Sequence, residues 1–580
     1  MALFRHLSWF FKAHWRTYLL AMTMLAGVAL LNTAVPWLVG NSIDKMIAAS
    51  DFTTEVKLQL LALLGMGLLI YLLRFGWRLI LFGTSYRLGG LLRQRFYQRL
   101  TRLGPAFFSQ HGTGDLMARA TNDIDAVELA AGEGVLSGFD GLLTFILVLI
   151  MMFSLIDWRL TLVALIPFPL MGYGFYRISI AVHQHFHQSL ERFSELNDKT
   201  QEALSGIRLI KAMGREEAES ALFNTIAAKA AHSNYQVSRS EAMFEPVIYL
   251  ALTGALLLTL GYGGYLIWIA ELSVGQLTSF TIYMGQLIWP MWAFGWLMNI
   301  VERGSAAFNR VDALLNEPDS IPDSGQRPPL NAGLQVRNLS FAYPNNPEQP
   351  VLQQVSFNLP RGKVLGIVGP TGAGKTTLAA LLMRQWEAAP GLIQLGELPL
   401  QELALDQLRS SFASVPQDGF LFSISIADNI ALGRPDASRE QVRQAARIAA
   451  LDEDIRRFPD GYDTLVGERG LTLSGGQRQR LTIARALLCE APILVLDDAL
   501  SAVDVHTEQR ILGYLQTELQ EQSAIIISHR LSSVEHADEI LVLNHGHVSE
   551  RGQHAELLQQ DGWYSRMWTY QQMEASLNEI

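Results

Sequence analysis

The chain has 580 residues, 49% of them hydrophobic and only 17% charged, with a formal net charge of −10 and one cysteine. That length exceeds one compact core, and the charged fraction falls well below the roughly 25% of soluble proteins. The acidic balance argues against a nucleic-acid binder, which carries a basic face, and Cys489 alone excludes an intrachain disulfide framework.

The first twenty residues lack the compact apolar core and cleavage site of a secretory signal, because Lys12 and Arg16 interrupt them. Phe4, Leu7, Trp9, Phe10 and Phe11, beside Arg5, Lys12 and Arg16, read as an interfacial helix or as an ordinary lead into the first span. A spanning helix needs roughly 20 mostly apolar residues. Six stretches meet that length: Tyr18–Gly40, Leu58–Phe82, Val135–Ile156, Leu160–Ile180, Pro246–Ile269 and Leu277–Ile300. Asp157, Trp158 and Arg159 alone join the third and fourth, and Glu271–Gly275 joins the last two. The loop between the first two carries Lys45, Asp51, Glu55 and Lys57.

The two long connections are rich in Arg and Lys, including Arg87, Arg93, Arg95, Arg99, Arg208, Lys211 and Arg215. Positive charge marks the cytoplasmic side. Six spans then put both termini and both long connections inside. Helical patterning through these connections predicts stalks that continue below the membrane, with tips at Thr113–Asp123 and at Ser205–Lys211, where Gly and Ser suit turns. Asn316–Ala332, rich in Pro, Asp, Ser and Gly, reads as a linker. The expected organisation is a helical membrane domain over residues 1–315, a linker over 316–332 and an α/β nucleotide-binding domain over 333–580. The net negative charge sits almost entirely in the last part.

After the linker come two strand-like stretches, Leu352–Leu359 and Lys363–Val368, then Gly369-Pro-Thr371-Gly372-Ala-Gly374-Lys375-Thr376-Thr377 and a helical pattern. This is a phosphate-binding loop in its strand–loop–helix setting. Glycines let backbone N–H groups curl around phosphates, and the helix start adds its positive end. Lys375 is expected to reach the β/γ-phosphates and the Thr376 hydroxyl to ligate Mg²⁺. Ile493–Asp497, an apolar run ending in a carboxylate, reads as a buried strand delivering Asp497 to the same Mg²⁺. Between them, Leu473-Ser474-Gly475-Gly476-Gln477 precedes a helical run to Leu488, with Ser474 as its cap. One small domain thus holds two phosphate-facing helix starts, more than one nucleotide on one chain explains.

These residues in this order resemble an ATP-binding-cassette ATPase. Leu473–Gln477 resembles its signature motif, Gln417 its Q-loop, Ser501-Ala-Val-Asp504 its D-loop, His529 its switch histidine, and Tyr343 the aromatic that stacks on adenine. The likeness covers about 335–570, and the six spans extend it to the exporter branch. Thr113–Asp123 and Asn299–Ala306 resemble multidrug-resistance-like half-transporters of that branch. The resemblance implies ATP and Mg²⁺ as cofactors and an ATP hydrolase coupled to transport, in the bacterial inner membrane. Its ATP is bound by Tyr343, Gly369, Thr371, Gly372, Gly374, Lys375, Thr376, Thr377 and, from the other chain of a dimer, Ser474, Gly475, Gly476 and Gln477. Its metal is held by Thr376, Gln417 and Asp497, and its hydrolysis is assisted by Asp498, His529 and Gln417. The family's usual Glu after the metal-binding Asp is here Asp498, one methylene shorter. That predicts a slow site and a heterodimer whose other chain supplies the Glu. A homodimer in which Asp498 reaches by a small shift is the alternative. The cargo expected is a small amphipathic compound. A lipid or peptide remains the second reading, and a regulatory ATPase without transport is disfavoured by the spans.

Other residues carry weaker signals. Asp140 inside the third span suits either a cationic substrate or a helix–helix hydrogen bond, the latter favoured. The aromatic and Met-rich sixth span, with Pro290 as an expected kink, fits an adaptable cavity or ordinary packing. His183, His185 and His187 lack a completing ligand set and read as solvated, and His554 receives no chemistry.

Overall fold

The computed structural model describes residues 2–48, 54–319, 321–323, 333–467, 470, 473–501, 503, 505–518 and 522–578. The chain forms two compact units, Met1–Arg99 with Gly114–Asn316, and Leu100–Thr113 with Glu317–Ile580.

The first unit is helical. Among the described residues, five helices are long and apolar enough to cross a membrane: Trp15–Ala48, Thr54–Leu100, Thr113–Ile156, Trp158–Ser205 and Glu216–Trp268. The sixth expected span is divided. Helix Val274–Gln286 ends, the chain turns at Leu287, and Ile288–Leu315 follows with Pro290 in its first turn. Proline lacks an N–H and clashes with the preceding turn, which breaks a helix at that point. The short links are built from caps. Asp157 accepts from Leu160 N at 2.9 Å, and Ser273 forms a capping box with Gln276. Asp44 on the first span accepts from Gly275 N at 2.7 Å, and Ser279 donates to Pro36 O at 2.8 Å. Gly40 and Gly275 let these two helices touch: a Cβ at Gly40 would lie 2.3 Å from the Gly275 carbonyl. At the amino end, Leu3, Leu7 and Phe10 are buried, and the Arg95 guanidinium sits 4.0 Å from the Trp9 ring centroid. One face of this lead is thus docked on the helices, as both an interfacial helix and an ordinary lead into the first span allow. Asp51, within the first loop, lies outside the described residues.

One expected stalk tip is displaced. Thr113–Asp123 is helix, and the chain instead reverses through Leu100–Gly112, around the short helix Pro105–Gln110 with Leu103 and Phe107 buried. The Gly104-Pro105 dipeptide is the physical reason, since it ends one helix and starts another. The second tip lies as expected, with the short helix Ile207–Ala212 between Gly206 and Gly214. Leu204, Ile207, Leu209 and Met213 around it are exposed.

Among the described residues the second unit holds ten strands: β1 Leu334–Phe341, β2 Leu352–Leu359, β3 Val364–Val368, β4 Ile393–Leu395, β5 Leu398–Pro399, β6 Phe412–Val415, β7 Ile493–Asp497, β8 Ser523–Ile527, β9 Glu539–Asn544 and β10 His547–Gly552. A four-stranded sheet runs β2-β1-β4-β5, and a six-stranded sheet runs β10-β9-β3-β8-β7-β6. Strands β7 and β8 are buried along their whole length, as parallel strands covered on both faces should be. One apolar cluster packs the four-stranded sheet on helix Lys375–Leu382, and a second packs the signature helix against β6 and β7. Of the expected linker, Pro322 O accepts from Arg384 and Asp323 accepts from Leu405 N. Residues 320 and 324–332 lie outside the described residues.

Candidate active site

Four neighbouring strands decide the site. Strands β3, β8, β7 and β6 are mutually parallel, so their carboxyl ends share one sheet edge. Onto that edge β3 delivers the phosphate loop, β8 delivers His529, β7 ends in Asp497 and Asp498, and β6 is followed by Gln417. Ligands bind at such carboxyl edges. Motifs remote in sequence thus become neighbours through strand order.

The phosphate loop is shaped by glycine. Gly369 and Gly374 have φ of 146° and 97°. A Cβ would meet Leu543 O at 2.0 Å in the first case and Val351 O at 2.8 Å in the second. Helix Lys375–Leu382 starts with no side-chain cap, which leaves its first N–H groups for another acceptor. Lys375 is buried and donates from Nζ to Gly369 O at 2.8 Å and Pro370 O at 3.0 Å. Burial pushes its ammonium pKa down, against the charges of Asp497 and Asp498. The lysine thus rests on carbonyls that a phosphate would outcompete.

Asp497 is 5% exposed. Burial holds its carboxyl above the usual range and Asp498 adds to this, while a hydrogen bond from Thr376 and the charges of Lys375 and His529 oppose it. Thr376, Asp497 and Gln417 supply hard oxygen donors of the kind Mg²⁺ takes. A buried carboxylate short of positive charge is a group that a divalent cation relieves, so the residues fit the metal. Asp498 has φ 48°, a left-handed conformation that Asp tolerates better than most residues. Its N–H donates to Ile527 O at 2.8 Å, and its carbonyl accepts from Ser501 Oγ at 2.9 Å. Gln417 and His529 are exposed. Ala502 and Asp504 of the D-loop stretch lie outside the described residues.

Beside the loop a cavity of about 420 Å³ is lined by Tyr343, Asn346, Gln349, Val351, Gly372 and His545, among others. Tyr343 is anchored at both ends. Its hydroxyl meets Thr377 Oγ1 at 2.9 Å, and its ring stands edge-on to Trp386 at 5.0 Å. The cavity suits a flat base against an aromatic face. Sequence reasoning missed His545. It sits at φ 45° in the turn between β9 and β10, and that turn is tied to the cavity by Gln353 N donating to Gly546 O at 2.9 Å. An Asn-His-Gly turn between two apolar runs signals the hairpin, but nothing local puts it next to Tyr343.

The signature stretch caps the helix Gly475–Leu488 as its sequence predicts. Ser474 Oγ accepts from Gln477 N at 3.3 Å, and Gln477 Oε1 accepts from Ser474 N at 3.0 Å. Gly475 is exposed, and a Cβ there would meet nothing within 4 Å. The residues lining the Tyr343 cavity include none of Leu473–Gln477. Elsewhere, Asp140 accepts from Trp289 Nε1 at 2.9 Å, the helix–helix bond expected of it, and Glu133 accepts from Trp296 Nε1 at 3.0 Å. His185 meets Ser240 Oγ at 2.9 Å, apart from the edge-on pair His183 and His187. His554 bonds the Tyr564 hydroxyl at 2.8 Å.

Residues 18–291 match the family described as "ABC transporter transmembrane region", and 352–501 match "ABC transporter". The chain is 47% identical to "Multidrug resistance-like ATP-binding protein MdlA" of Escherichia coli (strain K12), over 100% of this chain and 98% of that one. It is 34% identical to an "ATP-dependent lipid A-core flippase" of Chromobacterium violaceum, over 98% and 97%. Its fold superposes on "Structure of a bacterial Atm1-family ABC exporter with ATP bound" with a TM-score of 0.79 at 27% identity, covering 97% of this chain and 99% of that one. Matched from end to end at these identities, the chain belongs to the ABC transporter family, as an exporter that couples ATP hydrolysis to transport.

Proposed function

We propose that this chain is one half of a heterodimer that exports small amphipathic compounds across the bacterial inner membrane. ABC exporters work as dimers of half-transporters. The observation that carries the unequal pair is Asp498, standing where hydrolysis needs the longer carboxylate while the signature helix is intact. A missing methylene shortens the reach by about 1.5 Å, and a misplacement of about 1 Å slows a reaction on the order of 100-fold. This chain's own phosphate loop therefore binds ATP but turns it over slowly. Its Ser474–Gln477 helix start serves the partner's ATP at a site where the partner supplies the Glu.

Each residue's part follows from its place. Tyr343 stacks on the base. Gly369, Thr371, Gly372, Gly374 and Thr377 line the phosphates with N–H and hydroxyl donors, and Lys375 swings from its carbonyls to the β/γ-phosphates. Bound at Thr376, Asp497 and Gln417, Mg²⁺ would offset charge on those phosphates. His529 holds the γ-phosphate, and Asp498 orients the attacking water. Six spans, with Val274–Leu315 crossing as one broken helix, put both termini and the ATPase inside, in line with the positive charge of the long connections. The exposed apolar tip at Ile207–Ala212 then has a partner's ATPase domain to receive it.

Native mass spectrometry in mild detergent tests the pairing. A one-to-one complex with a second half-transporter is expected, and a homodimer with robust ATPase activity would sink the reading. The flippase relative favours a second cargo, a lipid. ATPase stimulation in vesicles separates the two, since amphipathic compounds and lipids should not both act as cargo.

A further inference from the structure

Directly after the switch histidine, Arg530 reaches back across the D-loop. Its Nη2 donates to Ser501 O at 2.8 Å, and its Nη1 donates to Val503 O at 3.2 Å and Glu508 Oε2 at 3.1 Å. Glu508 is 2% exposed, and its other oxygen accepts from Ser533 Oγ. A carboxylate so buried is costly unless paired and hydrogen-bonded, and here both conditions are met, so the fork of Arg530 is fixed rather than floating.

The bonds continue on each side. Ser501 Oγ donates to Asp498 O at 2.9 Å and accepts from Gln479 Nε2 at 3.2 Å, and Gln479 lies on the second turn of the signature helix. On the other side Arg530 N donates to Ser528 Oγ at 3.0 Å, while Gln571, on the last helix, donates to His529 O at 2.8 Å and accepts from Leu531 N at 2.9 Å. His529 is thereby held through both neighbours, and one guanidinium connects its loop to the turn that follows Asp498.

We propose that Arg530, fixed by the buried Glu508, is a positioning residue that makes the His529 loop, Ser501 and Val503 beyond Asp498, and the signature helix move as one body. A change at this chain's own γ-phosphate would then be passed to the helix start that serves the partner's nucleotide. The planar fork is what the task needs, because it satisfies two carbonyls and a carboxylate at once; a lysine offers a single point of donation. The second half of the inference rests on the reading that Leu473–Gln477 meets the partner's ATP.

The test uses the assembled full-length transporter in lipid vesicles, with Arg530→Ala, Arg530→Lys, Glu508→Gln and the double variant Arg530→Ala/Glu508→Gln. Arg530→Ala is expected to lower kcat for ATP about tenfold, the scale of a sub-ångström misplacement, with KM changed less than about twofold, because Arg530 is not in the phosphate loop or the base cavity. Arg530→Lys should restore only part of kcat. The double variant should be no slower than the worse single one, as for two residues acting as a unit. Additive losses, unchanged kcat in Arg530→Ala, or full rescue by lysine would overturn the proposal. If Glu508→Gln fails to fold, the alanine and lysine variants at the half-exposed Arg530 decide it alone. Gly475→Asp in the same assembly speaks to the two-chain site: unaltered turnover counts against the sandwich without touching the comparison of variants.

Discussion

The molecule has two helix starts suited to phosphate, and they are built in opposite ways. At Gly374–Lys375 no side chain caps the helix, a left-handed glycine precedes it, and the loop is pinned against Leu543 and Val351. At Ser474–Gly475 the helix is closed by its own capping box, and its first glycine faces open space. The first start encloses a ligand within one chain. The second is complete without a ligand and presents a finished, exposed end, as a surface meant to be brought to a nucleotide held elsewhere would. A side chain is excluded at the glycines of the enclosing site and has room at the presenting one.

The sharpest break of this comparison is Gly475→Asp. A carboxylate in the first helical turn favours the helix itself and meets no neighbour, yet it repels phosphate. ATPase activity of the assembled transporter should fall on the order of 100-fold, the scale of losing a key electrostatic contact, with an unchanged melting temperature. A large drop in melting temperature would refute the presenting role. Next in size, Asp498→Glu should raise turnover up to about twofold, from one working site to two, if the enclosing site is slow for want of reach; unaltered activity argues for a competent Asp498. Lys375→Ala should remove one of two nucleotide sites, read as halved stoichiometry of a fluorescent ATP analogue. Loss of both would mean that the sites are not separately built.

A smaller effect concerns pH. The Asp497 carboxyl pKa is raised by burial in the folded chain, so the folded state binds more protons than the unfolded one just above the ordinary Asp range. Its contribution to nucleotide-free stability is therefore lost as pH rises through that window. Asp497→Asn should raise the melting temperature at neutral pH while abolishing metal-dependent hydrolysis. An unchanged or lower melting temperature contradicts the assignment. Smallest of all, Asp140→Asn keeps an acceptor for Trp289, and such bonds in membranes are worth roughly 0.6 kcal/mol. Efflux of cationic dyes should be unaltered; its loss would place a cation at that carboxylate.

Legibility followed how local the governing physics is. The Ser474 cap and the phosphate loop could be read directly, because capping and glycine turns act over three or four residues; the two short links followed from the spacing of the apolar stretches, and their caps at Asp157 and Ser273 emerge only in the fold. The first stalk tip lies away from Thr113–Asp123 because two glycine-bearing stretches compete there, and Gly104-Pro105 outweighs Thr113-Gly114 only once helix continuity is known. The break at Leu287 was signalled by Pro290, but its depth was not. His545, Glu508 and Arg530 left no sequence signal of their roles, since each acts on residues far away along the chain.

By itself the sequence determined which chemical groups exist and in what order: a glycine loop suited to phosphate, an acid ending an apolar strand, a second, shorter carboxylate beside it, a self-capped helix, and apolar stretches suited to lipid. These depend on residue type and short spacing. The tertiary structure alone decided which of them meet. The order β3-β8-β7-β6 gathers Lys375, His529, Asp497, Asp498 and Gln417 on one edge, and the hairpin brings His545 to the cavity beside Tyr343. Strand order and crossover connections are set by how whole layers bury their apolar faces, a property of the packed sheet that short spacing does not encode.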